Sequence, residues 1–170
     1  IYMTMPVKLP GGAFRSALVM GLDDATFVGA PANIVQGNIE CLRALDTVIV
    51  DTLSASSLLK TPIEPRAHPL PDRSSPHESK TRPLIPGDEF FVNDHRLVVG
   101  GLARLGPQFL ARPVFFMTAS RALTIAPPQR NLPSYVLVHA KPGTDHAALA
   151  AAINQATGLR ARTSKQFSDD

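Results

Sequence analysis

Tryptophan is absent from this chain, there is one cysteine, and aromatic residues make up only 6%. A single thiol, Cys41, excludes an intrachain disulfide and a multi-thiolate metal site, and leaves the redox compartment undecided. The simplest reading of Cys41 is a small, half-buried hydrophobe. Charged residues are also sparse, at 18% against 44% hydrophobic, which is the balance of a globular rather than a disordered chain. No apolar run approaches the length of a membrane-spanning helix. No charged n-region followed by an apolar h-region marks a signal peptide. The opening Ile1-Tyr2-Met3-Thr4-Met5-Pro6 reads as the middle of a strand, and the expectation is a piece excised from a longer protein.

Proline is plentiful instead, with 16 residues in 170. A chain of this length can bury about 70% of its unfolded surface, enough for one domain or two small lobes without a staple. The net charge is +3 and the pI about 9.4. The basic residues are scattered along the sequence, with only Arg160 and Arg162 close together on one expected strand face. A nucleic-acid binder would cluster them and interleave aromatics, so a solvated surface is the reading and no nucleic-acid partner is expected.

Several segments carry clear local patterns. Ser16–Asp23 is a short apolar run expected as a buried strand, followed by a turn closed by Pro31. Asn38–Leu45 fits one or two turns of helix. Thr47–Asp51 is β-branched and continuous, as in a strand buried on both faces. Ser54–Leu59 fits a short helix with Thr52 or Ser54 as N-cap. Thr61–Pro86 holds seven prolines among Ser, His and alternating charges, and is expected as a long loop or insertion.

Glu89–Asn93 and Arg96–Leu102 flank the polar Asn93-Asp94-His95 and predict a hairpin, although Asn-Asp lacks the glycine of the best type I′ turns. Gly100-Gly101 predicts a bulge or bend in its second strand. Pro113–Thr118 is a further strand, after which Thr118 or Ser120 caps a helix ended by Pro127-Pro128. In the final third, Tyr135–Ala140 and Leu159–Thr163 read as strands around a helix from His146 to Thr157. Asp145 is its N-cap and Gly158 its C′ residue, while Leu149, Ala152, Ile153 and Ala156 make one apolar stripe. That is a β-α-β unit, whose crossover is expected to be right-handed.

Candidate chemistry is thin. The histidines His68, His77, His95, His139 and His146 form no paired zinc spacing. Asp23-Asp24 and Asp51 stand at strand C-termini, where α/β proteins place catalytic carboxylates, but the same residues serve as strand ends and caps. Gly100-Gly101 with Gly106 is not the dinucleotide fingerprint, no Walker A sequence occurs, and Ser54, Ser56 and Ser57 lack a nucleophile elbow. No catalytic, cofactor-binding or metal residues are assigned, and no cofactor is expected.

In order, V-M-G-L-D at 19–23, T-V-I-V-D at 47–51, P-G-D-E-F-F-V-N-D-H-R-L-V-V-G-G at 86–101 and P-V-F-F-M-T at 113–118 form a series. It continues with S-Y-V-L-V-H-A-K-P-G at 134–143 and L-R-A-R-T-S-K-Q-F at 159–167. This series resembles the periplasmic core domain of MacB/FtsX-type ABC transporter permeases, in their DevC-like exporter branch, over nearly the whole chain. The resemblance implies an α+β, two-lobed domain. Residues 1–60 and 113–167 would form a porter-like α/β lobe, 61–86 a proline-rich insertion that departs from the family pattern, and 87–112 a small β-rich lobe. It also implies an inner-membrane permease dimer with this domain facing the periplasm, a separate cytoplasmic ABC ATPase subunit and a periplasmic adaptor protein. The domain itself would relay movement and carry no catalysis. Two competing readings are an independent ligand-binding module and a small α/β enzyme using Asp23, Asp51 or His139 in a cleft.

Overall fold

Strict alternation writes the first strand. In β1 (Tyr2–Lys8), Met3, Met5 and Val7 are buried while Tyr2, Thr4, Pro6 and Lys8 face outward. The computed structural model describes residues 1–9, 12–63, 81–106, 112–129 and 134–169. The chain continues through β2 (Phe14–Leu22), β3 (Ile34–Gln36), a 3-10 turn at Ile39–Arg43, β4 (Thr47–Asp51) and α1 (Thr52–Ser57). There follow β5 (Thr61–Pro62), β6 (Thr81–Arg82), β7 (Glu89–Val92), β8 (His95–Ala103), β9 (Val114–Thr118) and α2 (Ala119–Ile125). The last elements are α3 (His146–Thr157) and α4 (Ser164–Ser168). Helices with a mixed seven-stranded sheet and a small two-stranded one make the protein α+β, as expected.

The main sheet runs β3-β8-β4-β9-β2-β1-β7, and β7 also pairs with β8. Six strands, β8-β4-β9-β2-β1-β7, therefore close a ring on themselves, which leaves none of the six as an open sheet edge. The ring's interior holds Met5, Val19, Val48, Phe90, Leu97, Phe115 and Met117, each almost fully buried. Phe90 and Phe115 meet with ring centroids 5.0 Å apart. Burying each such side chain contributes about 1.5–3 kcal/mol before entropy is counted. β4 and β9 are buried on both faces, because Ile49 and Phe116 point outward into a second cluster with Leu22, Phe27 and Leu42. That outer cluster explains the continuous apolar runs of these two strands.

The directions of the strands define two ends of the barrel. β4 and β8 are parallel, β4 and β9 antiparallel, and β2 parallel to β9. One end thus collects Lys8, Phe14, Asp51, Ala103 and Val114; the other collects Leu22, Thr47, His95 and Thr118. The Gly100-Gly101 bulge is present: Val48 pairs with Val99 but Ile49 with Gly101, so Gly100 is the extra residue. A Cβ at Gly100 would stand 2.2 Å from Thr47 Cγ2 and 2.8 Å from Cys41 Sγ, which is why no side chain fits there. The hairpin turn is also as predicted in place, with Asn93 and Asp94 both at positive φ (47° and 63°) between paired Val92 and His95.

Other expectations are corrected. The hairpin of 87–112 is not a separate lobe, since β7 and β8 are staves of the same barrel as 1–22, 47–51 and 114–118. The compact units are instead Ile1–Tyr135 and Val136–Asp170. Within the Thr61–Pro86 segment, residues 64–80 lie outside the described residues. Its ends are more ordered than a loop reading implies: β5 pairs with β6, and Leu84 is fully buried with its N–H donating to the Ala55 carbonyl at 3.1 Å.

In the second unit, Asp145 caps α3 through the Ala147 and Ala148 N–H groups, and Gly158 ends it at φ 69°, both as expected. Of the predicted stripe, Leu149 and Ile153 are half-buried, while Ala152 and Ala156 are exposed. The flanking segments 135–140 and 159–163 join no β-ladder among the described residues, so no β-α-β crossover is formed there. A local cause is visible after α3. The N–H groups of Leu159, Ala161 and Thr163, all on one edge of the extended chain, donate to Thr157 Oγ1, Asn154 Oδ1 and Gln166 Oε1. Side chains take the donors a ladder would need.

Candidate functional site

Parallel register between β2 and β9 places Leu22 beside Thr118, and so brings the segment after β2 onto the start of α2. There Asp24 accepts from the Ser120 N–H at 3.1 Å, and the Ser120 hydroxyl also donates to its carboxylate. Thr118 caps α2 through the Arg121 N–H, which selects Thr118 over Ser120 among the two predicted caps. Arg121 in turn forms an ion pair with Asp46, which holds a left-handed conformation (φ 62°) just before β4. The contact is one of charge. Neither Asp46 Oδ1 nor Arg121 Nε has a well-directed hydrogen bond among the described residues, although both are buried atoms.

These groups line a cleft of about 400 Å³ with Thr47, Thr124 and Arg43. A second, shallow cleft of about 660 Å³ lies in the segment after β2, between Phe27, Ala30, Ile34, Ile39 and the exposed Glu40–Arg43 ion pair. The Arg43 guanidinium also sits 4.7 Å from the centre of the Phe27 ring, a cation–π contact. Sequence reasoning missed Asp46, Ser120 and Arg121 as a group. Nothing local signals them, because the Asp24–Ser120 contact spans 96 positions and exists only through strand register.

The strand-end carboxylates are not brought together. Asp23 accepts from the Ala25 N–H (3.2 Å), the Thr26 N–H (2.9 Å) and the Thr26 hydroxyl (2.7 Å). Those Thr26 bonds hold its carboxyl below the ordinary range. Asp51 lies at the opposite barrel end, 4% exposed. It caps α1, accepting from Ser54 N–H and Oγ on one oxygen and from the Leu105 N–H, at 3.4 Å, on the other. The cap is thus Asp51 itself, rather than Thr52 or Ser54. Both aspartates act as the turn and cap residues their alternative reading describes.

The histidines are dispersed as well. His95 flanks the hairpin turn, His139 is exposed in the extended 135–140 segment, His146 opens α3, and His68 and His77 lie outside the described residues. Among the described residues no three His, Cys, Asp or Glu side chains gather as a metal site. Cys41 is half-buried, and burial raises its thiol pKa, so it is less readily a thiolate than a free cysteine. The Asp24–Ser120 pair lacks a histidine in its cleft, and its two bonds to one helix start are those of a clamp. No helix among the described residues is long and apolar enough to cross a membrane. No protein-family model matches the chain, and no curated protein is similar to it.

Proposed function

We propose that this chain is an extracytoplasmic domain of an ABC transporter permease of the MacB/FtsX type, which passes ATP-driven movement to substrate or adaptor during export. What supports the reading is the ordered series of motifs, together with the structural parts those motifs become. V-M-G-L-D and T-V-I-V-D are barrel strands with their aspartates spent on a turn and a cap. P-G-D-E-F-F-V-N-D-H-R-L-V-V-G-G is a hairpin with a required bulge, and P-V-F-F-M-T is the stave between β2 and β4. The observation that carries it is the use of the four motifs in the barrel unit as framework rather than chemistry, which suits a domain that moves and docks. Its partners would be an ATPase subunit reached through a membrane part, a second permease copy and an adaptor, at the periplasmic face of the inner membrane.

The test is the sequence of the source gene on both sides of Ile1 and Asp170. An apolar span of about 20 residues just before Ile1 and several after Asp170 are expected. A start codon and a stop codon close to these two residues would overturn the proposal.

A further inference from the structure

Basic residues scattered in the sequence are gathered by the fold. Lys8, Arg15, Lys60, Arg104 and Arg112 all belong to the barrel end that collects the ends of β1, β4 and β8 and the starts of β2 and β9. All five are exposed, and none forms an ion pair among the described residues. The acidic side chains of that end are already engaged. Asp51 is buried as a cap, Asp88 is bound by Arg82 at 2.6 and 2.7 Å, and Glu89 is bound by Arg96. The opposite end has the other sign, with Asp23, Asp24 and Asp94 exposed and Asp46 paired to Arg121.

The basic end also exposes apolar side chains. Phe14 and Leu53 are 62% and 67% exposed, and Ile63 and Ile85 about half. Register continues the pattern down the barrel wall: Phe14 pairs with Lys8, Lys8 with Phe91, and Phe91 with Arg96. This makes a cross-strand row of aromatic, cation, aromatic, cation, with the Lys8 ammonium 5.8 Å from the centre of the Phe14 ring.

We infer that this end of the barrel docks on an anionic lipid bilayer surface, with the exposed apolar side chains entering the interface and the five cations among the headgroups. Charge complementarity requires an anionic partner, and the form of the end selects a membrane. The exposed groups come from strand ends, α1 and the segments at 63 and 85, and so ring a barrel mouth rather than line a groove for a peptide. The six ring strands offer no open edge for β-addition, and the strands that keep one there, β3, β5 and β6, are only two or three residues long. Leu53, Ile63 and Ile85 are aliphatic and enter an acyl boundary, but offer no face on which nucleobases stack.

The test is co-sedimentation of the 170-residue chain with vesicles of phosphatidylcholine alone, or with about 30% phosphatidylglycerol, at low salt and at about 0.5 M salt. Binding is expected only to the anionic vesicles, and salt should weaken it. The variant K8E/R15E/R112E should lose at least a hundredfold, since each neutralised cation lowers partitioning about fivefold. These side chains are exposed and free of ion pairs among the described residues, and circular dichroism verifies the fold. F14S/F91S should lose about tenfold without changing the salt dependence, while D94N, at the acidic end, should bind as the parent does. Equal binding to neutral vesicles, no binding at low salt, or undiminished binding by the triple charge reversal would overturn the proposal. Binding to polyglutamate but not to vesicles would overturn it in favour of an acidic protein. Ile1 bonds to Gly21 at the opposite end of the barrel, so the span that the permease reading expects before Ile1 would leave from that end, and the two proposals are tested apart, this one by vesicles and that one by the gene.

Discussion

Two β-branched apolar runs in this molecule meet different fates. Thr47–Asp51 lies in the barrel unit with β8 on one side and β9 on the other, and Val48, Ile49 and Val50 are wholly buried. Val136–Val138, in the second unit, is extended and exposed with no ladder among the described residues. Both runs have the composition of a buried strand. What separates them is the partner: an extended run becomes a strand only where other chain brings it donors and acceptors in register. The barrel unit makes its own partners by closing a ring, whereas the described residues 136–169 form α3, the short α4 and extended segments that join no ladder. Their stability should differ accordingly.

The largest expected effect is on the core that only one unit has. Phe115→Ala removes a ring packed against Phe90 inside the barrel and should cost about 3–5 kcal/mol. Ile153→Ala, on the half-buried face of α3, should cost about 1 kcal/mol or less. Urea denaturation followed by circular dichroism measures both. Equal losses would break the comparison, because they would require a packed core around α3.

Glycine sharpens the same contrast. Gly100→Ala should cost about 1–3 kcal/mol, since the new methyl collides with Thr47 Cγ2 and Cys41 Sγ. Thr47→Ser in the same chain removes one of those collisions and should recover part of the loss, a coupling that a double-mutant cycle reads directly. Gly158→Ala in the second unit meets nothing within 4 Å and is opposed only by its φ of 69°. No second substitution nearby should rescue it.

Acid should act on the barrel unit. Burial by itself would raise the Asp88 carboxyl, but the two Arg82 hydrogen bonds, the Ile85 N–H and the Arg82 charge outweigh it and hold the group below its ordinary value. Glu89, bound by Arg96, and Asp23, bound by Thr26, are lowered too. A folded carboxylate with a lowered pKa binds fewer protons than the unfolded one. Its contribution is therefore complete above about pH 4 and is lost as pH falls through the folded value. The melting temperature should drop on acidification across that window. Asp88→Asn should melt about 2–4 °C lower at pH 6 and show a shallower acid limb. An unchanged limb would mean that the Arg82–Asp88 pair contributes nothing to folding.

How much of this was legible in advance follows from the range of each interaction. The caps Thr118 and Asp145, the Gly158 helix end, the Asn93-Asp94 turn and the Gly100 bulge rest on residues near in sequence, and the pattern shows them. Ring closure does not show. It depends on Val7 meeting Val92 while Val98 meets Glu89, pairings that a hairpin signal leaves open. The lobe boundary at 87 failed for that reason, and so did the β-α-β unit, whose second extended segment looks like a strand but spends its donors on Thr157, Asn154 and Gln166. The polar cleft and the two charged barrel ends are products of register too. Asp24 and Ser120, or Lys8 and Arg112, are distant in sequence and become neighbours or share an end only once the ring exists.

The smallest effect probes a position where the barrel unit carries strain that the second unit avoids. Asp94 holds φ 63° without being glycine, whereas the second unit places Gly158 at a similar angle. Its neighbour Asn93, also left-handed, donates from its side chain to the Ile125 carbonyl at 2.7 Å, tying the turn to the end of α2, and so has to stay. Asp94 is exposed and has no such tie to α2. Asp94→Gly therefore removes the side-chain cost of the left-handed conformation and completes the preferred Asn-Gly turn. The expected outcome is a stabilisation of about 0.5–1 kcal/mol in urea denaturation, offset in part by the greater freedom of glycine in the unfolded chain. Loss of stability instead would mean that the Asp94 side chain supports the turn by a contact of its own, and the two units would then meet left-handed backbone by different means.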